Sequence, residues 1–125
     1  MTATGLGRLR QISMRAQDVD RAVRFYRDVL GVPFLFAVPP RLAFFDCDGV
    51  RLMLSTPEPG FDHPGSVLYF AVDDIQTMHG TLKTRGVPFK GEPHRIATLA
   101  DREVWLAEFS DTEGNALALM SEPRI

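Results

Sequence analysis

The sequence has little of three features that would indicate a compartment or a partner. Cys47 is its only cysteine, so no internal disulfide can form. The N-terminal residues contain no apolar run long enough for a signal peptide, and no later window approaches the roughly 18 apolar residues of a membrane span. The net charge is only −2, with acids and bases interspersed, so electrostatics give no case for binding nucleic acid or an anionic membrane. These absences predict a cytoplasmic protein.

What the sequence does contain is a repeat within an ordinary globular composition. The chain has 125 residues, 45% hydrophobic and 24% charged, which suits one compact domain. The tetrapeptide GVPF occurs twice, at residues 31–34 and 86–89. Each copy follows a strand-like run, an aspartate and a stretch with apolar residues at helical spacing. We interpret this as one structural unit used twice.

Both predicted helices carry the same start and stop signals. Asp18 and Asp74 are predicted N-caps, because their carboxylates can accept hydrogen bonds from unpaired N–H groups. Gly31 and Gly86 fit the position just past a helix, where a positive φ is needed. The residues expected to be buried by these helices are Val19, Ala22, Val23, Tyr26, Val29 and Leu30 in the first, and Ile75, Met78 and Leu82 in the second.

The similarity continues to the end of each half. The stretches FFDCDGVRLMLS and FSDTEGNALALMS each predict a strand, an acidic turn with a glycine, and a second strand. Each half therefore reads as β-α-β-β-β. The predicted modules are residues 9–56 and 66–121, and the Pro- and Gly-rich stretch 57–65 is the predicted linker.

Alternation along the strands predicts which side chains share a face. In the first strand, Ile12 and Met14 should pack under the helix, while Gln11 and Ser13 point to the other side. Phe34 and Phe36 are two residues apart and should share one face. In the second half, the residues matching Gln11 and Ser13 are Val67 and Tyr69.

Three motifs, DVDRAVRFYRDVLGV, YFAVDDI and FSDTEGNALAL, resemble those of the vicinal oxygen chelate superfamily. This superfamily includes glyoxalase I, extradiol dioxygenases, fosfomycin-resistance proteins and bleomycin-binding proteins. The resemblance spans about Leu9 to Ser121. It implies an α+β fold in which two tandem βαβββ modules form a curled mixed sheet around a shared cleft, in a chain that commonly forms a homodimer.

The resemblance also implies where a divalent metal would be held. The ligand positions lie seven residues before each capping aspartate and four after each turn glycine, and here they are Gln11, Val67, Met53 and Ala118. Only Gln11 offers a suitable oxygen, and one neutral amide does not hold a divalent ion against water. We therefore expect no cofactor, with a divalent metal only at a displaced site.

Without a metal, we expect the cleft to bind a small, partly apolar molecule. A mostly apolar surface with a few polar anchors is typical of a small-molecule pocket, although the same residues could close on each other as core. The residues expected to line the cleft are Gln11, Ser13, Arg51, Met53, Val67, Tyr69, Trp105 and Ala118.

Candidate catalytic residues lie in the segment that only the second half contains. His94 and Glu103 are the candidates, and Glu108 competes with Glu103 for the face toward the cleft. The segment PHRIATLADRE is also interpretable as a looped, solvated hairpin tip. His63 in the linker and His79 in the second helix are interpreted as surface histidines.

Three functions remain open from the sequence. The first is metal-independent binding of a small molecule. The second is a lyase, isomerase or epimerase of the glyoxalase type with a displaced site at Gln11, His94 and Glu103. The third is a non-catalytic dimeric module whose cleft is filled by its own side chains.

Overall fold

The computed structural model describes residues 5–57 and 65–125, and its contacts divide the chain into two units, residues 1–63 and 64–125. The first unit consists of β1 (Gln11–Arg15), α1 (Val19–Val23) continuing as a π-helical segment (Arg24–Val29), β2 (Phe34–Val38), β3 (Leu42–Cys47) and β4 (Val50–Ser55). The second consists of β5 (Leu68–Ala71), α2 (Ile75–Thr84), β6 (His94–Thr98), β7 (Glu103–Ser110) and β8 (Ala116–Ser121).

Both units have the same mixed sheet topology. The strand order is β1-β4-β3-β2 in the first unit and β5-β8-β7-β6 in the second. In each sheet the first strand runs parallel to the last, and the other pairs are antiparallel. The predicted α+β fold with two tandem βαβββ modules is therefore confirmed.

The helix signals in the sequence have the expected structural effect. Asp18 accepts a hydrogen bond from the Arg21 N–H at 3.0 Å, and Asp74 accepts one from the Thr77 N–H at 3.1 Å. Gly86 follows the α2 C-cap with φ of +90°, where a side chain would be strained. The bonds from Gly86 N–H and Val87 N–H back to the last turn form a Schellman motif.

Each helix packs on one face of its own sheet. We call this the helix face, and we call the opposite side of the same sheet the distal face. In the first unit, the fully buried Tyr26 contacts Phe45 of β3, with ring centroids 5.7 Å apart. In the second unit, Phe109 and Leu117 are buried beneath α2. Large apolar side chains on the helix face thus hold each unit together.

The buried stripe of α2 differs from the prediction at one position. Met78 is 36% exposed, while His79 is only 5% exposed, so the interpretation of His79 as a surface histidine is wrong. Ile75, His79 and Leu82 form the stripe because they lie four and three residues apart. The His79 ring packs on Phe89 at 4.3 Å between centroids.

Two other sequence interpretations are wrong, and both concern the second strand of a unit. Residues 94–98 form strand β6 and not a loop, so only residues 99–102 make the hairpin tip. Phe34 and Phe36 lie on opposite faces because a bulge between them shifts the register. Phe34 pairs with Phe45 of the helix face, and Phe36 pairs with Phe44 of the distal face.

Most of the predicted linker, including His63, lies outside the described residues. Within the described ranges, no helix is long and apolar enough to cross a membrane.

Candidate functional site

The distal face of the first sheet brings four predicted cleft residues together. Parallel pairing of β1 with β4 places Gln11 beside Arg51 and Ser13 beside Met53. Side chains of paired residues point to the same side of a sheet, so all four share the distal face. This face is the candidate site of the first unit.

Gln11 and Arg51 are directly bonded on this face. The Arg51 Nε–H donates to Gln11 Oε1 at 2.7 Å, and Gln11 Nε2 lies 3.9 Å from Met53 Sδ. The Arg51 guanidinium carbon also lies 5.4 Å from the centroid of the Phe44 ring, within the range of a cation–π contact. Gln11 and Phe44 therefore fix the position of the guanidinium from two sides.

Phe36 and Phe44 are site residues that the sequence did not reveal. Their rings stack at 4.5 Å between centroids and 26° between planes, next to Arg51. Phe36 is 47% exposed, so it presents an apolar surface to solvent. A spacing of two residues normally places both side chains on one face of a strand. The bulge between Phe34 and Phe36 reverses this, and no residue in this strand indicates a bulge.

The distal face of the second sheet carries a different set of side chains. Pairing places Tyr69 of β5 and Glu108 of β7 on either side of Ala118 in β8. Tyr69 is 54% exposed, whereas Ala118 is fully buried and offers no surface to a ligand. Val67 lies just before β5 and is 42% exposed.

His94 reaches Glu108 on the same distal face. His94 pairs with Leu106, which puts its side chain on the side of Glu108, and Nε2 lies 3.6 Å from Glu108 Oε1. Its Nδ1 lies 3.3 Å from the Glu92 carbonyl oxygen, which can only accept, so this nitrogen carries a proton. Nε2 and a carboxylate oxygen therefore converge on one point near the surface.

Glu103 and Trp105 lie on the other side of the second sheet. Both alternate with Ala107 and Phe109 of the helix face, so the structure does not bring Glu103 together with His94. Counting back from the core residue Phe109 would have given this assignment from the sequence.

Glu103 is also engaged by its neighbours. The Trp105 indole N–H donates to Glu103 Oε1 at 3.1 Å, and Arg95 donates to Oε2 at 3.0 Å. These hydrogen bonds, that of Trp105 first, hold the pKa of the Glu103 carboxyl below its usual value. A carboxylate with a lowered pKa is a weaker base, so the geometry favours Glu108 over Glu103 as partner of His94.

The four positions that correspond to metal ligands do not fit a divalent ion. Met53 offers a thioether, Val67 and Ala118 offer no donor atom, and the Gln11 amide oxygen already accepts from the Arg51 guanidinium at 2.7 Å. A cation bound to Gln11 Oε1 would break this hydrogen bond and would be repelled by the guanidinium charge. Within residues 5–57 and 65–125, no group of three or more His, Cys, Asp or Glu side chains is placed to hold a metal.

Comparison with known proteins gives one family. Residues 8–119 match the model of the Glyoxalase/Bleomycin resistance protein/Dioxygenase superfamily. The uncharacterized protein YurT of Bacillus subtilis (strain 168) is 32% identical over 134 aligned positions, which cover 88% of this chain and 95% of YurT.

Solved structures of low sequence identity share the fold. The antibiotic binding protein TnmS3 from Streptomyces sp. CB03234 has a TM-score of 0.76 at 21% identity, covering 96% of this chain and 99% of TnmS3. Lactoylglutathione lyase from Agrobacterium tumefaciens has a TM-score of 0.71 at 20% identity, covering 97% and 96%. One fold thus accommodates a binding protein and an enzyme.

Proposed function

We propose, on the premise that the chain belongs to the Glyoxalase/Bleomycin resistance protein/Dioxygenase superfamily, that it binds a small, partly apolar molecule without using a metal. The observation that carries this proposal is the bond from Arg51 Nε–H to Gln11 Oε1. Gln11 Oε1 is the one suitable oxygen among the family's four metal-ligand positions. In this chain that oxygen is hydrogen-bonded to the positively charged guanidinium of Arg51. The likeness to an antibiotic binding protein supports the same class of function.

The surface around this bond suits a small ligand. Phe36, Phe44 and Met53 supply apolar and polarisable contacts, and Gln11, Ser13 and Arg51 supply polar anchors. This combination of a mostly apolar wall with a few fixed polar groups is typical of small-molecule sites. We propose that the protein stores or carries this molecule in the cytoplasm. We also propose that it requires no nucleic acid or membrane partner.

Thermal melts of EDTA-treated protein test the proposal. We expect no change in Tm on adding Ni²⁺, Zn²⁺ or Mn²⁺, because no set of donors suited to a divalent ion is found among residues 5–57 and 65–125. A small molecule present at about 100 times its Kd should add about 2.7 kcal/mol to the free energy of unfolding, or several degrees in Tm, and should do so equally in EDTA. The proposal fails if a metal raises Tm in the wild type and not in Gln11→Ala, or if EDTA abolishes ligand binding.

The pair of His94 and Glu108 favours a second candidate function, an isomerase or epimerase with a displaced site. A carboxylate and an imidazole nitrogen 3.6 Å apart can take a proton from a carbon next to a carbonyl and return it. In this version Glu108 replaces Glu103, which lies on the helix face, as the partner of His94.

Hydrogen–deuterium exchange into a panel of small 2-oxo acids, followed by NMR, tests the second candidate. Exchange by the wild type should fall by about 100-fold or more in His94→Ala and in Glu108→Gln, the usual size of a general-base effect. Glu103→Gln is the matched control and should leave exchange unchanged. Absence of exchange by the wild type would contradict this second candidate.

A further inference from the structure

The distal face of the first sheet points to one chemical class of ligand. We propose that Arg51, Phe44 and Phe36 form a subsite for an organic anion, with a carboxylate on the guanidinium and a flat apolar body on the Phe36 ring. This inference rests on the proposed binding function and specifies the ligand.

Arg51 is held in place with most of its donors unused. A guanidinium has five N–H donors, and in the described part of the chain the only one of Arg51 that is engaged is the Nε–H, which donates to Gln11 Oε1 at 2.7 Å. Of the described residues, none forms an ion pair or another side-chain hydrogen bond with Arg51. The two Nη groups therefore keep four N–H donors in a planar fork, the geometry that binds a carboxylate through two parallel hydrogen bonds.

The neighbours of Arg51 fix its position, and among the described residues none forms an ion pair with it. Gln11 is neutral, and the Phe44 ring contributes a face at 5.4 Å. Asp46 lies opposite Arg51 on β3, and its Oδ1 accepts from the Gly49 N–H at 2.8 Å, which directs this oxygen to the β3–β4 turn; its charge offsets part of that of Arg51 without forming an ion pair. Arg51 is half-buried, so its charge is worth more to an incoming anion than that of a fully solvated arginine.

The apolar part of the subsite adjoins the guanidinium. Phe44 contacts Arg51 on one side and stacks on Phe36 at 4.5 Å on the other. Phe36 remains 47% exposed on the outermost strand, so a flat ligand can extend over its ring. An aromatic carboxylate matches a cation followed by an aromatic surface better than inorganic phosphate or a neutral arene does.

The experiment is a calorimetric titration of EDTA-treated protein with 2-naphthoate, 2-naphthalenemethanol and inorganic phosphate. We expect 2-naphthoate to bind at least about tenfold more tightly than the neutral alcohol or phosphate, as is typical for a charge-assisted pair. Arg51→Gln should remove this preference, Arg51→Lys should retain part of it, and Phe36→Ala should weaken 2-naphthoate binding while sparing the preference for the anion.

Arg24→Gln is the matched control, since it removes the same charge from an exposed position in the helical segment and should leave binding unchanged. The inference is overturned if the alcohol binds as tightly as 2-naphthoate, if phosphate does so, or if a folded Arg51→Gln variant binds 2-naphthoate like the wild type. Equal binding of acid and alcohol would leave the proposed binding function standing, whereas binding of no compound, including those of a broad screen, would remove both.

Discussion

At the scale of single residues, we expect replacement of two glycines of the second unit to have opposite effects on stability. Gly80 lies inside α2 with ordinary helical geometry, and a Cβ added there would meet no atom within 4 Å. Gly86 lies just past the same helix with φ of +90°, and a Cβ there also meets no atom within 4 Å. The two sites therefore differ in backbone conformation and not in available space.

We expect Gly80→Ala to stabilise the protein by about 0.5–1 kcal/mol, because alanine loses less backbone entropy in a helix. We expect Gly86→Ala to destabilise it by about 1–2 kcal/mol, because a side chain is strained in the left-handed region. Urea unfolding of both variants against the wild type measures the free energies. Equal effects of the two changes would contradict the conformations described for these glycines.

Residue patterns predicted the helix caps well and the distal faces in part. Asp18 and Asp74 act as N-caps because a cap depends only on local sequence. Gln11, Ser13, Arg51 and Met53 meet on one face because β1 and β4 keep regular alternation. The contact between Arg51 and Phe44 could not be predicted, since it depends on the register of β3 against β4.

At the scale of elements, the order β-α-β-β-β could be predicted twice because both halves repeat their cap and turn signals. Two features of the outer strands differ from the sequence prediction, the faces of Phe34 and Phe36 in β2 and the loop expected in place of β6, and both strands contain a register shift. In β2 the shift turns Phe36 to the distal face, where it joins the proposed subsite. In β6 the charged and polar residues concealed a strand, because an edge strand with little burial lacks clear hydrophobic alternation.

The register shift in β6 also explains why His94 and Glu103, the predicted catalytic pair, are not brought together. Sequence proximity placed His94 and Glu103 in one segment, but antiparallel pairing of β6 with β7 sets His94 opposite Leu106 and Thr98 opposite Glu103. Glu108, farther along the chain, is the carboxylate that approaches His94 at 3.6 Å. Pairing between strands therefore determines which residues meet in a site, and spacing along the sequence does not.

At the scale of the whole molecule, family membership fixes the fold but leaves the ligand open. Two relatives of similar fold are an antibiotic binding protein and a lyase, so chemistry must come from the residues on each sheet. In this chain those residues include a guanidinium where a metal-binding relative would need free donor oxygens. A further property of the whole molecule, its self-association, depends on its exposed apolar surface.

The outer strand β2 carries the surface that we expect to join two copies of the chain. Its exposed side chains include Leu35 at 48% and Val38 at 49%, on an edge whose second side has no strand among the described residues. An exposed apolar edge strand is prone to pair with another copy, which would bury this surface. We therefore expect a homodimer of twice the 14.0 kDa chain mass in solution.

Light scattering coupled to size exclusion measures this mass. The double variant Leu35→Lys/Val38→Lys should elute as a monomer, because two charges would face each other across the paired edges. Ile96→Lys on β6 is the matched control, since Ile96 is 50% exposed on the outer strand of the other sheet. A wild-type monomer, or a dimer that persists in the double variant and dissociates in Ile96→Lys, would show that β2 is not the contact.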